Sequence, residues 1–201
     1  MIERPVFAHR PRIVALGGNA TAGGSAERLL RHALDRCEAE GAETLLFAGN
    51  AINLPLYAPH HGDRCDKAEA LTEALRKADG IIVASPAYHG TVSGVVKNAL
   101  DYAQDLASDV QPYFDGRAVG LIAVAGGWQA AGSTLATLRS VTHALRGWPT
   151  PMAVMANSSQ QLFDSDGTLT DCGINQQLDI MTRQLVIFTQ MKASLAVVMT
   201  A

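Results

Sequence analysis

No cluster of lysine and arginine occurs anywhere in these 201 residues, and the formal charge is only −3 at pH 7. Nucleic acid and anionic membrane surfaces are excluded as main partners, because neither is held without a basic patch. Cysteine is scarce. Cys37, Cys65 and Cys172 lie far apart, odd in number and with no C-x-x-C, so they read as reduced thiols in a cytoplasmic protein rather than a disulfide framework. No apolar run approaches the roughly 18 residues that a membrane span needs. The opening MIERPVFAHRPR is charged and broken by proline, which does not match a secretory signal. The glycine motifs for nucleotides are also incomplete. G-x-G-x-x-G is missing, and Gly24 stands where a P-loop beginning at Gly18 would place its lysine, which weakens both dinucleotide and triphosphate readings.

What is present is apolar and regularly spaced. Hydrophobic residues make up 48% of the chain, ample for the core of a single domain over residues 1–201. Five short apolar runs recur: RIVALG (12–17), ETLLFAG (43–49), GIIVAS (80–85), AVGLIAVAG (118–126) and PMAVMAN (151–157). None alternates in polarity, as expected of strands covered on both faces of a parallel sheet. Between them, apolar residues return at helical spacing: Leu30, Leu34 and Cys37; Leu71, Leu75 and Ala78; Leu135, Leu138 and Leu145; Ile174, Leu178, Met181, Leu185 and Phe188. Five strand–helix alternations predict a doubly wound α/β fold with helices on both faces of a five-stranded parallel sheet.

Such sheets bind ligands beyond the carboxyl ends of their strands, where strand order reverses. In the order 2-1-3-4-5 that point lies between the first and third strands. The loops that follow them, GNATAGGS (18–25) and PAYHGTVSG (86–94), are the chain's richest in glycine, serine and threonine. The first suits one small phosphate, with tight glycine turns and Ser25 at the start of a helix whose free N–H groups attract anions; Ser25 reads equally as a plain N-cap. The second offers Pro86 to fix the exit from the strand, Gly90 and Gly94 for close approach, and the face of Tyr88 for a flat ring. A surface loop with an isolated tyrosine is the plainer reading. A third junction, AGGWQAAGST (125–134), brings Trp128 either to the rim of the same cleft or to a subunit interface.

The stretch SPAYHGTVSGVVKNALDYA resembles the signature of the NAD(P)H-dependent FMN reductases, S-P-x-Y-x-x-S/T-x-S/P-G-x-L-K-N-A-x-D. Ser85, Pro86, Tyr88, Ser93, Gly94, Lys97, Asn98, Ala99 and Asp101 match it. The resemblance, over residues 12 to about 190, implies a flavodoxin-like fold and hydride transfer from NADPH or NADH to FMN. It assigns the cofactor to Gly18, Asn19, Thr21 and Ser25, to Pro86, Ala87, Tyr88, His89, Gly90, Thr91 and Ser93, and to Gly126, Gly127 and Trp128. The phosphate would lie near Ser25 and the ring near Pro86 to Gly90. No residue is assigned a catalytic or metal-binding role, because the flavin carries the chemistry. One departure stands out. Many members carry an arginine and a second serine in the first loop, where this chain has Asn19, Ala20 and Thr21, and no lysine or arginine occurs between Arg12 and Arg28. Members that reduce free FMN for a flavin-dependent monooxygenase resemble this chain best, and some carry an aromatic or histidine in the fourth helix at a subunit interface, which His143 matches. The expected assembly is a homodimer or homotetramer. An FMN-bound reductase of quinones, azo compounds or metal oxyanions is the alternative, followed by a flavodoxin-type electron carrier and a non-flavin phosphate-binding module.

Two further clusters read as loops. HHGDRC (60–65) lacks a second ligand group at helical spacing, and DSDGTLTD (164–171) lacks the distal glutamate of a calcium loop and reads as an Asp-Gly turn. Lys97 and Asp101, four apart, read as a helix-surface ion pair.

Overall fold

The computed structural model describes residues 10–59 and 63–200. The order of elements is β1 (Arg12–Gly17), α1 (Ser25–Ala39), β2 (Glu43–Phe47), α2 (Asp66–Lys77), β3 (Gly80–Tyr88), β4 (Thr91–Val92), α3 (Gly94–Asp101), β5 (Ala118–Ala125), α4 (Trp128–Ala144), β6 (Trp148–Pro149), β7 (Val154–Asn157) and α5 (Cys172–Thr200). The parallel strands run β2-β1-β3-β5, with β6 and then β7 pairing along the far side of β5. This is the flavodoxin-like 2-1-3-4-5 order, with its reversal between β1 and β3.

Each central strand sends alternate residues to opposite helical layers. Ile13, Ala15, Ile82 and Ala84 pack with Leu29, Leu30 and Leu34 of α1 and Leu178, Met181 and Leu185 of α5. Val14, Leu16, Ile81 and Val83 pack with Leu71 and Leu75 of α2, Val96 and Leu100 of α3, and Leu138 of α4. Both faces of β1, β5 and the body of β3 are buried, so these strands needed no polar alternation. Cys37 lies in the first of these layers, where burial, with Glu38 and Glu40 nearby, pushes its thiol up to about 12.

The strand ends differ from the sequence reading in two places. The fifth apolar run does not start a strand at Pro151. The edge splits instead, because prolines 149 and 151 donate no N–H to a ladder: Trp148 and Pro149 pair with Ala118 and Val119, and pairing resumes at Val154 opposite Ile122. The third strand runs three residues past Ser85 and folds back, with Ala87 opposite Val92 and Tyr88 opposite Thr91. His89 and Gly90 close this two-residue turn with φ of 52° and 83°, both left-handed as a type I′ hairpin requires. Among the described residues, no helix is long and apolar enough to cross a membrane.

Candidate active site

The loop after β1 is shaped by backbone contact. A Cβ on Gly17 would sit 1.9 Å from the Ala84 carbonyl oxygen, and the Gly18 N–H donates to that oxygen at 3.0 Å. The chain leaves β1 pressed against β3, then turns through Gly18 and Gly23, whose φ values are 93° and 86°. Gly24, not Ser25, is the N-cap of α1 and offers no side chain to it; Ser25 is the first helical residue. Ser25 thus starts the helix as expected, and the alternative reading of it as an N-cap, which serine commonly is, falls one residue late. The first helical bond runs from Arg28 N–H to the Gly24 carbonyl, 3.0 Å. The N–H groups of Ser25, Ala26 and Glu27 therefore have no partner within the helix, and they carry its positive end.

Across the reversal point, the β3–β4 hairpin raises Pro86, Ala87 and Tyr88 as a shelf. Two serines pin its base: the Ser93 N–H donates to Ser85 Oγ at 2.9 Å, and Ser85 Oγ donates to the Pro86 carbonyl at 2.9 Å. Ser93 then caps α3 through Val96 N–H. The Tyr88 hydroxyl reaches over to Asn19 Oδ1 at 2.9 Å and ties the two loops together.

Between the loops lies a cleft of about 240 Å³, lined in part by Gly18, Asn19, Ser25, Pro86, Ala87, Tyr88 and Gly126. Those seven sequence-selected residues are brought together. Seven others are not in its lining. Thr21 is exposed on the outer turn; His89 and Gly90 form the hairpin tip; Thr91 faces Thr137 at 3.4 Å; Ser93 is buried in its capping role; Gly127 caps α4, and Trp128 stands half-exposed on its first turn. Gly24, Ala26, Val124, Ala125 and Ser158 also line the cleft, and sequence reasoning missed them. Four are plain junction or apolar residues without a chemical signal. Ser158 had one, since it follows the fifth apolar run at the carboxyl edge, and its N–H is held by the Ala125 carbonyl at 2.7 Å.

The charges around the loop are already engaged. Arg28 lays its guanidinium 3.8 Å over the Phe163 ring. Glu27 is 4% exposed. One of its oxygens accepts the Gly23 N–H at 2.9 Å, and the other accepts from Arg31 at 2.7 and 3.2 Å. Burial alone would raise the Glu27 pKa, but the Arg31 guanidinium and the Gly23 N–H outweigh it and hold the carboxyl below its ordinary range. A wider, shallower groove of about 600 Å³ runs along α2, but Asp66, Glu69, Glu73 and Asp105 line it beside Arg76, an acidic seat that repels phosphate.

Residues 11–161 match the family described as NADPH-dependent FMN reductase. The chain belongs to that family. It is thus an enzyme, an NAD(P)H-dependent FMN oxidoreductase with FMN and NADPH as its redox pair. Among family relatives, the chain is 26% identical over 187 residues to the NADPH-dependent FMN reductase ArsH of Rhizobium meliloti (strain 1021), covering 92% of this chain and 76% of that one. It is 32% identical over 120 residues to the FMN-dependent NADPH-azoreductase of Staphylococcus aureus (strain USA300), 59% of this chain and 60% of that enzyme. The fold matches the apo crystal structure of the NADH:FMN oxidoreductase EMOB with a TM-score of 0.66 at 22% identity, covering 89% and 88% of the two chains.

Two glycines keep the cleft of this FMN reductase open. A Cβ built on Gly126, in the cleft lining, meets nothing within 4 Å, and one on Gly24 meets only the Asn19 amide nitrogen at 3.4 Å. The backbone leaves space there that a ligand can use. The family signature itself divides by task. Asn98 does not face the cleft; it accepts from Tyr57 N–H at 2.8 Å and donates to the Leu54 and Pro55 carbonyls at 3.3 and 2.9 Å. Lys97 and Asp101 form the expected exposed pair at 2.6 Å. Of the cluster HHGDRC, His60 and His61 lie outside the described residues, while Arg64 grips Asp105 through two bonds of 2.8 Å. Asp164 accepts the N–H groups of Asp166 and Thr168, closing the Asp-Gly turn.

Proposed function

We propose that FMN is an exchangeable substrate of this enzyme, entering oxidised and leaving reduced, and that the reduced flavin feeds a flavin-dependent monooxygenase. One observation carries the reading: the phosphate loop holds no cation of its own. Residues 18–27 contain neither lysine nor arginine, Arg28 is stacked on Phe163 and Arg31 is paired with Glu27. The phosphate is left with backbone N–H groups, the Ser25 hydroxyl and the helix dipole, the last contributing roughly 0.3–1 kcal/mol. A charge-assisted hydrogen bond from an arginine would add about 1.5–3 kcal/mol, so its absence weakens binding by about tenfold or more. The cleft, about 240 Å³, is also smaller than the roughly 300–1,000 Å³ of sites that enclose a whole ligand, leaving part of the flavin on the open shelf.

In this reading the residues have distinct tasks. Gly18, Asn19, Gly24 and Ser25 surround the phosphate and its tether, while Pro86, Ala87, Tyr88 and Gly126 flank the ring. The bound flavin supplies the redox chemistry by taking hydride from the nicotinamide C4 at its N5. The protein binds, orients and shields, and it needs no acid or base of its own. The whole chain acts as one flavin domain of a cytoplasmic homodimer or homotetramer.

Gel filtration followed by an NADPH oxidation assay tests the proposal. The expected protein elutes colourless, and its oxidation of NADPH depends on added FMN. A yellow protein with stoichiometric FMN would overturn it in favour of a bound-flavin reductase, the description that the Staphylococcus aureus relative carries.

A further inference from the structure

We infer that Glu27 is a positioning residue that sets how strongly the loop prefers a phosphorylated flavin over an unphosphorylated one. The inference rests on FMN seating in the cleft described above. Glu27 does not line that cleft; it lies beneath the loop and is buried to 4% exposure. Its contacts reach both ends of the turn. A Cβ on Gly18 would lie 3.5 Å from the Glu27 Cβ, and Glu27 Oε2 takes the Gly23 N–H at 2.9 Å. One backbone donor that could serve a phosphate is spent on an internal carboxylate.

That carboxylate sits in the first turn of α1, where the helix dipole favours an anion. The protein thus supplies its own negative charge at the place where the ligand must bring two. Arg31 neutralises it only in part. The arginine side chain is 61% exposed against 5% for the glutamate, so water screens the cation far better than the anion. Arg28 keeps its charge over the Phe163 ring, and among the described residues Arg31 alone pairs with Glu27. Glu27 therefore does two things at once. It fixes the loop's shape through Gly23, and it lowers the loop's affinity for phosphate. Glu27 bonds to Gly23 and Arg31 and to none of Pro86, Ala87 and Tyr88, so riboflavin, which lacks the phosphate, does not feel its charge.

Equilibrium titration of flavin fluorescence with FMN and with riboflavin reads this without turnover. In Glu27→Gln the amide oxygen still accepts the Gly23 N–H while the charge is gone. FMN affinity should rise about tenfold and riboflavin affinity should stay within about twofold. Steady-state kinetics should show the same direction, as a lower KM for FMN with the KM for NADPH unchanged. Arg31→Gln removes the partial neutraliser from an exposed position and should act in the opposite sense, weakening FMN about threefold and leaving riboflavin alone; it decides the matter should Glu27→Gln fail to fold. Unchanged or weaker FMN binding in Glu27→Gln would overturn the inference, as would equal gains for the two flavins or an Arg31→Gln variant that does not distinguish them. A wild-type protein that binds neither flavin would instead overturn the substrate reading, and this inference with it.

Discussion

Gly17 and Gly126 both stand at the carboxyl ends of strands, yet the space around them gives them opposite roles. At Gly17 a side chain would collide with the Ala84 carbonyl at 1.9 Å, so its glycine is dictated by the contact between β1 and β3. At Gly126 a side chain would meet nothing within 4 Å, and the residue is exposed. No folding constraint explains that glycine; in the function proposed above, the flavin beside it does. Gly126→Val should therefore fill the cleft without disturbing the core. FMN affinity is expected to fall at least about tenfold, a loss of roughly 1.4 kcal/mol. The thermal midpoint should move by no more than about 2 °C, because exposed substitutions cost within about 0.5 kcal/mol. Unaltered FMN titration in this variant would remove Gly126 from the flavin's neighbourhood.

The segment at 54–58, which does not line the cleft, shows the family signature bracing an element rather than a ligand. The signature residue Asn98 holds that segment with three hydrogen bonds, and the Tyr102 hydroxyl adds a fourth to the Pro55 carbonyl at 3.0 Å. Asn98→Ala should cost about 2–3 kcal/mol, at a net contribution near 1 kcal/mol per bond. A lowered urea midpoint and faster proteolysis near Leu56 would be seen, with FMN affinity little changed; a large selective loss of FMN binding would instead make Asn98 a ligand contact. This bracing could not be read from the motif, since the partners of Asn98 lie more than forty residues away in sequence. What could be read was periodic. Non-alternating apolar runs and helical stripes located the parallel strands and the helices α1, α2, α4 and α5, while the place of the reversal followed from taking the order 2-1-3-4-5. The hairpin was not legible: residues 86–94 carry turn formers throughout, and only the pairing of Ala87 with Val92 shows that the strand continues. Glu27 was hidden for a similar reason. On a surface helix it looks like any first-turn acid, and its burial depends on the loop folding over it.

At the scale of the whole molecule, the apolar surface is unevenly placed. Trp148 on the edge strand β6 is 61% exposed and touches Phe188 of α5, ring centroids 6.0 Å apart. Along α5 itself, Ile187, Met191 and Leu195 are 44%, 54% and 61% exposed. Single exposed apolar residues are ordinary, but several large ones associated with one edge strand and one helix are where the proposed contact between copies is expected. A net charge of only −3 offers little repulsion against self-association. If two copies meet about a two-fold axis, each residue of the patch enters the interface twice, so a substitution there is counted twice. Light scattering at micromolar concentration should give a multiple of the 21.3 kDa chain mass. The double substitution Trp148→Glu with Leu195→Glu would then place four carboxylates in a desolvated contact and return the protein to monomers. Neither residue lines the cleft, so the monomer should still bind FMN if the site belongs to one chain alone. A wild-type mass near 21.3 kDa, or a double variant of unchanged mass, would show that this surface does not hold the copies together.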